Sequence, residues 1–492
     1  MGSTSGTPAS PRTPGTPRTP GSDGLGRRDL IKRSAALGLI SVPTMGFLSA
    51  CASGGGDDDD KAKTVKKTKE NPFGVAEGND LDVFIFKGGY GDEYAKAWEA
   101  SYEKKYGGEV SHSGEQDVTG KLQPRFNKGN PPDVVDDSGS KKMKLDTLYK
   151  EGHLTDLTQL LDAPSIDDPS KKIRDIMLPG TIEQGTFGGK FHALFYVYAA
   201  WGLWYSNKLF KKHGWEVPKT WDQLLDIMKD AKSKGIGGLA HQGKYPYYMN
   251  IVIMDLIAKT GGMDAVKAID NLDPKAFVGN DAAERSIEAV YEIVEKGLLM
   301  PGTNSLEHTE AQTKWNEYKA VFIPSGSWLE NEQAKQTPED FEMTFLPLPL
   351  LPGSKMKLHA VRVGADEPFI VPSKAKNVPG GLEFLRRMLS KEGATDFARK
   401  ASSLSVLGPE YVDKSVELRP GIKTALAAVD NCPVDERFNY RYSEWYGELD
   451  VEIQNATGEL MAKRITPKKW LERCQQAVDK EAKKGTDKHR RK

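Results

Sequence analysis

The sequence predicts an α/β fold divided between more than one domain, and three observations carry that prediction. A buried apolar strand, Leu81-Asp82-Val83-Phe84-Ile85-Phe86, runs into the turn Lys87-Gly88-Gly89-Tyr90-Gly91 and then an amphipathic pattern through Trp98 and Tyr106. Strand, glycine turn and helix in that order open an α/β sheet, where ligands lie beyond the carboxyl ends of strands. A second apolar run, Ala193 to Tyr205, is too extended and too aromatic for a surface loop. At 492 residues the chain also exceeds what one compact core accommodates.

Ahead of the first strand, residues 1–26 are Pro, Thr, Gly, Ser and Arg in a low-complexity order that cannot bury enough apolar area to fold. Arg27-Arg28-Asp29-Leu30-Ile31-Lys32 is a twin-arginine signature, and the apolar run Ala35 to Phe47 behind it is too short to span a bilayer. Leu48-Ser49-Ala50-Cys51 closes the run with the pattern of a lipoprotein signal, in which the Cys thiol receives diacylglycerol. Residues 1–50 therefore read as a cleaved signal peptide of twin-arginine, lipoprotein type, and Cys51 as the lipidated first residue. Two acyl chains at about 0.8 kcal/mol per methylene give stable anchoring, at the outer face of the cell membrane. Residues 51–79 hold three glycines in a row, four aspartates and a Lys-rich stretch, the composition of a flexible linker rather than a calcium site.

A strand near Glu109–Ser113, a helix over Thr119–Phe126 and Pro131-Pro132-Asp133-Val134-Val135-Asp136-Asp137-Ser138 repeat the opening theme. After the aromatic strand, Asn207 to His213 forms a short helix ended by Gly214, and Thr220 caps the next helix from Trp221. Helices over Trp221–Lys232, Met249–Thr260 and Ala282–Lys296 make a mostly helical second part. Later come Phe345-Leu346-Pro347-Leu348-Pro349, a helix over Gly380–Leu389, and terminal helices including Arg441 to Tyr446 and Gly458 to Lys480.

Tyr205-Ser206-Asn207-Lys208-Leu209-Phe210, Pro218-Lys219-Thr220-Trp221 and Ser325-Gly326-Ser327-Trp328 together resemble the substrate-binding lipoproteins of carbohydrate ABC importers, extracellular solute-binding protein family 1. Within that family the likeness runs toward the N-acetylglucosamine and diacetylchitobiose binders of high-GC Gram-positive bacteria. The resemblance implies a two-lobed, periplasmic-binding-protein-like fold of type II, maltose-binding-protein-like, with the ligand cleft at the hinge. It places lobe 1 at residues 80–192 and 350–405, lobe 2 at 193–349 and 406–482, hinges near 190–200 and 345–355, and a disordered tail at 483–492. It implies a monomeric receptor that captures N-acetylglucosamine or diacetylchitobiose and passes it to an ABC permease with a separate ATPase. Another oligosaccharide on the same scaffold, or a lipid-anchored glycoside hydrolase, is the alternative.

By the same resemblance Trp328 stacks on a pyranose, whose C–H faces are apolar and slightly positive and complement an indole. Trp445 offers a second stacking ring. Tyr90, Asp137, Ser138 and Arg362 supply polar contacts, while Tyr247 and Tyr248 line the cleft. For Asp137 and Ser138 a capping role at the next helix stays open.

Other chemistry finds little support. Basic and acidic residues balance at 69 each, so nothing points to nucleic acid; six basic and two acidic residues fall in the first fifty, leaving the remainder mildly acidic. Three cysteines make no disulfide framework, and Cys432 and Cys474 either pair or remain free thiols. Gly238 to Lys244 follows the phosphate-loop pattern, but Tyr245 stands where Ser or Thr must hold magnesium. No histidine spacing suits a metal, and no nucleophile motif is present. The expectation is therefore a binding protein without catalytic residues, metal or cofactor.

Overall fold

The structure is a computed structural model that describes residues 61–484 and residue 491. The expected signal segment, Cys51 and residues 52–60 lie outside the described residues. Residues 61–79, whose composition predicts linker, instead pack on the body: Thr64 bridges Val75, the Ala62 amide donates to the Lys376 carbonyl, and Phe73 and Val75 are buried. Each such apolar side chain gains about 1.5–3 kcal/mol on burial, which an average over a Lys-rich stretch conceals. Near the other end, where a disordered tail is expected, Arg491 pairs with Asp270 at 2.9 Å and donates its amide to Asn271.

The strands are β1 (Leu81–Phe86), β2 (Val110–Glu115), β3 (Val134–Asp136), β4 (Thr186–Phe187), β5 (Lys190–Phe191), β6 (Leu194–Ser206), β7 (Gly237–Leu239), β8 (Ala320–Gly326), β9 (Met343–Leu346), β10 (Arg362–Ile370) and β11 (Leu404–Ser405). All but the β4-β5 hairpin join one mixed sheet in the order β2-β1-β3-β10-β6-β8-β7, with β9 and β11 also on β6. β1 runs parallel to β2 and β3, and β7 parallel to β8. β10 is antiparallel to both β3 and β6.

β6 belongs to both ends of this sheet. Its first part, Leu194 to Trp201, pairs with β10, and its second part, Trp201 to Ser206, pairs with β8 and β9. All but Tyr198 of its thirteen residues are buried, which is why the sequence reads there as a nearly continuous apolar run and not an alternation. The strand that returns toward β3 is β10; Met343–Leu346, beside the expected crossing near 345–355, stays on the second part of β6.

Local signals set the helices. Ser206 accepts from the Leu209 amide to start Asn207–His213, which Gly214 ends in the left-handed region. Thr220 and Gln223 form a capping box for Trp221–Ser233. Tyr247–Gly261 is buried almost all round and forms the inner helix of the second half. Instead of one helix over Gly458–Lys480 there are two, Gly447–Met461 and Pro467–Lys483. Pro467 has no amide hydrogen to continue a helix, and Thr466 caps the new one by accepting from Lys469. The core of the first half centres on Trp98, whose ring meets Tyr94, Tyr196, Phe369, Phe384 and Phe397 at 5.0–6.3 Å. Cys432 and Cys474 are buried free thiols.

Candidate functional site

Trp328 follows the end of β8 and precedes the one-turn helix Leu329–Glu332. Its ring is 8 % exposed and meets three aromatic neighbours. Tyr90 lies edge-on at 6.4 Å and Trp201 edge-on at 6.5 Å, while the indole N–H faces the Tyr248 hydroxyl. Two glycines make room for it. A Cβ on Gly326 would come within 1.9 Å of the indole, and one on Gly89 within 2.9 Å. The Gly-Gly turn after β1 thus has a steric purpose: it lets the backbone of one half lie against an indole from the other.

Two polar contacts join the halves around this aromatic centre. The Asn331 side-chain amide donates to the Gly89 carbonyl at 2.8 Å. Lys142, on the loop after β3, donates to both carboxylate oxygens of Glu444 at 2.8 Å. Burial alone would lower the Lys142 ammonium, but Glu444 beside it raises it to about 12. Such a pair is partly shielded from water and gains more than a surface bridge.

The middle of the sheet supplies the floor. Along β10, Arg362, Gly364 and Asp366 point to one face and are half-buried, while Val363, Ala365 and Glu367 point to the other and are buried. Opposite them on β6 stand Trp201, Ala199 and Val197. The Arg362 guanidinium lies over Trp201 at 5.0 Å and Tyr440 at 5.7 Å, and its Nε donates to Asn439 at 3.0 Å. Asp255 faces Arg362 at 3.9 Å. Burial pushes the Asp255 carboxyl up to about 7, against the pull of Arg362 and Lys259.

The acidic residues after β3 are engaged within the fold. Asp136 accepts from Tyr94 at 3.1 Å and from the Ser138 hydroxyl. Asp137 accepts from the Met143 amide at 2.8 Å with one oxygen, while its other oxygen is buried without a hydrogen-bond donor. Burial pushes Asp137 up to about 7. Burial likewise raises Asp136 and Glu367, which share a desolvated region on the far face of β10. Neither Asp137 nor Ser138 caps the helix Leu145–Lys150.

The structure brings Trp328, Tyr90, Tyr248 and, through Trp201, Arg362 into one cluster. Tyr247 joins through its ring contact with Tyr248 at 4.3 Å. Trp445 is 6 % exposed in the short helix Tyr442–Trp445, which packs on Leu145–Lys150, and its ring meets Tyr446 at 6.3 Å. Sequence reasoning assigned no site role to Trp201, Asp366, Glu444, Asn331, Asp255 or Asn439. The period-two pattern in Arg362-Val363-Gly364-Ala365-Asp366 was the available signal for Asp366.

Among the described residues no group of three His, Cys, Asp or Glu is placed to hold a metal ion, and no helix is long and apolar enough to cross a membrane. A separate groove of about 360 Å³ between the last two long helices is lined by Lys144, Glu448, Glu452, Arg473 and Lys480 among others, without an aromatic ring. Its charges are largely paired with each other, so it offers a sugar no stacking face.

The sequence profile of the bacterial extracellular solute-binding protein family matches residues 87–395. The chain is 36% identical over 427 residues to the diacetylchitobiose binding protein NgcE of Streptomyces coelicolor, covering 85% of this chain and 89% of that protein. Among solved structures, a chitin oligosaccharide binding protein superposes with a TM-score of 0.63 at 20% identity, over 80% of this chain and 94% of the other. The raffinose complex of RafE superposes with a TM-score of 0.64 at 16% identity, over 82% of this chain and 99% of the other. These two likenesses concern the fold.

Proposed function

This chain belongs to the bacterial extracellular solute-binding protein family, and from that premise we propose that it captures N,N'-diacetylchitobiose or N-acetylglucosamine and delivers it to an ABC permease. The observation that carries the reading is the 36% identity to NgcE across nearly the whole of both chains. Sharing of that extent leaves room for a change of ligand, so the cleft chemistry supplies the second support. Trp328 and Trp201 give apolar faces for pyranose rings, and Arg362 and Asp366 on the floor supply a donor and an acceptor for hydroxyl and acetamido groups.

Capture follows from the way the two halves share the site. Tyr90 and Lys142 come from the half built on β1–β3; Trp328, Asn331 and Glu444 come from the half that holds β7–β9 and the terminal helices. A ligand between them touches both and therefore favours the closed arrangement over an open one. Micromolar affinity corresponds to about 8 kcal/mol net of closure. No reacting group is required: the reading is binding without turnover. The domain division expected from the sequence, lobe 1 at 80–192 and 350–405 and lobe 2 at 193–349 and 406–482, is part of this proposal. So are the lipid anchor at Cys51, added after twin-arginine export, and a monomeric receptor.

Calorimetric titration with N-acetylglucosamine, diacetylchitobiose, maltose, cellobiose and xylobiose tests the ligand. The reading expects heat from the first two and none from the rest; binding of maltose or xylobiose alone would overturn it. Recovery of reducing-sugar product after incubation with chitin oligosaccharides would replace it with a hydrolase. Metabolic labelling with palmitate tests the anchor, and Cys51→Ala is expected to abolish the label.

A further inference from the structure

Asp366 shares with the fully buried Asp255 and Glu367 the lack of a side-chain hydrogen-bond donor, and of the three it alone is half-exposed. Glu444 is held by Lys142, Asp136 by Tyr94 and Ser138, and Asp450 accepts from Gln454 at 2.6 Å. Asp366 has the amide of Glu367 close by, and among the described residues no side chain donates to it. It is half-buried in the middle of the sheet, on the same face of β10 as Arg362 and directly opposite Val197 of β6. Its charge acts on groups from both halves, on Tyr90 and Lys142 on one side and on Tyr247 and Glu444 on the other.

A half-buried carboxylate with only a backbone amide beside it keeps acceptor capacity that water or a ligand hydroxyl can fill. We propose that Asp366 is the anchoring acceptor of the cleft, its two carboxylate oxygens taking hydrogen bonds from adjacent hydroxyl groups of one pyranose ring. The proposal rests on the sugar-binding reading above and deepens it. Neighbouring equatorial hydroxyls present two donors side by side, which matches the two oxygens of a carboxylate, and charge-assisted bonds of this kind are the strong ones. In a β-1,4-linked N-acetylglucosamine dimer only the non-reducing ring keeps a free 3,4 pair, so that ring is the one Asp366 selects.

The test uses the full protein, diacetylchitobiose as probe, and the variants Asp366→Ala and Asp366→Asn. Asp366→Ala is expected to weaken binding at least tenfold while the melting temperature without ligand stays level or rises, because no side-chain partner is lost. Asp366→Asn, which keeps one acceptor oxygen and adds a donor, is expected to fall between. A dimer lacking the non-reducing 4-hydroxyl is expected to bind the wild type and Asp366→Ala alike. Affinity of Asp366→Ala within threefold of wild type, or a fall of several degrees in its melting temperature, overturns the proposal and leaves the function standing. Absence of any sugar binding by the wild type overturns both.

Discussion

Trp328 and Tyr90 meet edge to face with ring centroids 6.4 Å apart at 75°, each contributed by a different half of the molecule. In the proposed site this indole is the wall for a bound ring, and the Tyr90 contact makes it a bridge between the halves as well. Trp328→Ala is expected to weaken sugar binding by about 1–3 kcal/mol, roughly five- to 150-fold. Calorimetric titration measures the loss, and unchanged far-ultraviolet circular dichroism checks that the fold survives.

The same indole can be displaced without being removed. A methyl group at Gly326 would stand 1.9 Å from the ring, far inside contact distance, so Gly326→Ala must push Trp328 aside. The expected outcome is weakened binding approaching that of Trp328→Ala, with a shift in tryptophan fluorescence that reports the moved ring.

Lys142 and Glu444 also tie the halves together, as Asn331 and Gly89 do. Glu444→Gln removes the charge while keeping the shape, leaving the Lys142 ammonium without its partner. Sugar affinity is expected to drop several-fold and the radius of gyration in ligand-free solution to grow. Small-angle scattering with and without sugar follows the change, and added salt is expected to move the wild type in the same direction.

Stability should depend on pH in a definite sense. Burial raises Asp137 and Asp255 to about 7 from an unfolded value of 3.8. Between those limits the folded chain holds protons that the unfolded chain has released, so these groups favour folding below about pH 4 and lose that contribution as pH rises through 7. The buried His192 and His241, lowered by burial, act in the opposite sense below pH 6.5. The clean measurement is therefore a difference: Asp137→Asn is expected to flatten the fall in melting temperature between pH 5 and 8 relative to wild type.

Much of this architecture could be read from residue order because local signals and packing agree. The opening strand, its glycine turn, the cap at Thr220 and the aromatic strand read as Ala193 to Tyr205 are all set by short-range chemistry, and the structure has each of them, the last as Leu194–Ser206. Pro467 was a visible breaker, and the single-helix reading across it ignored its missing amide. Site residues were harder. Trp328 stands out by composition, but Asp366 matters through what surrounds it in space, and Glu444 only through a partner 302 positions away. Ser138 illustrates the limit from the other side: its hydroxyl donates to Asp136 two residues back, a turn geometry that neighbouring polar residues alone do not announce.

The shared strand β6 also fixes what kind of motion the receptor can make. Because one thirteen-residue ribbon is hydrogen-bonded into both flanks, neither flank can slide along the other without tearing a ladder. The remaining freedom is a bend about that spine, like the covers of a book about its binding. A transporter mouth feeling the outer rims would then need to sense only one quantity, the width of the gap, to tell a loaded receptor from an empty one.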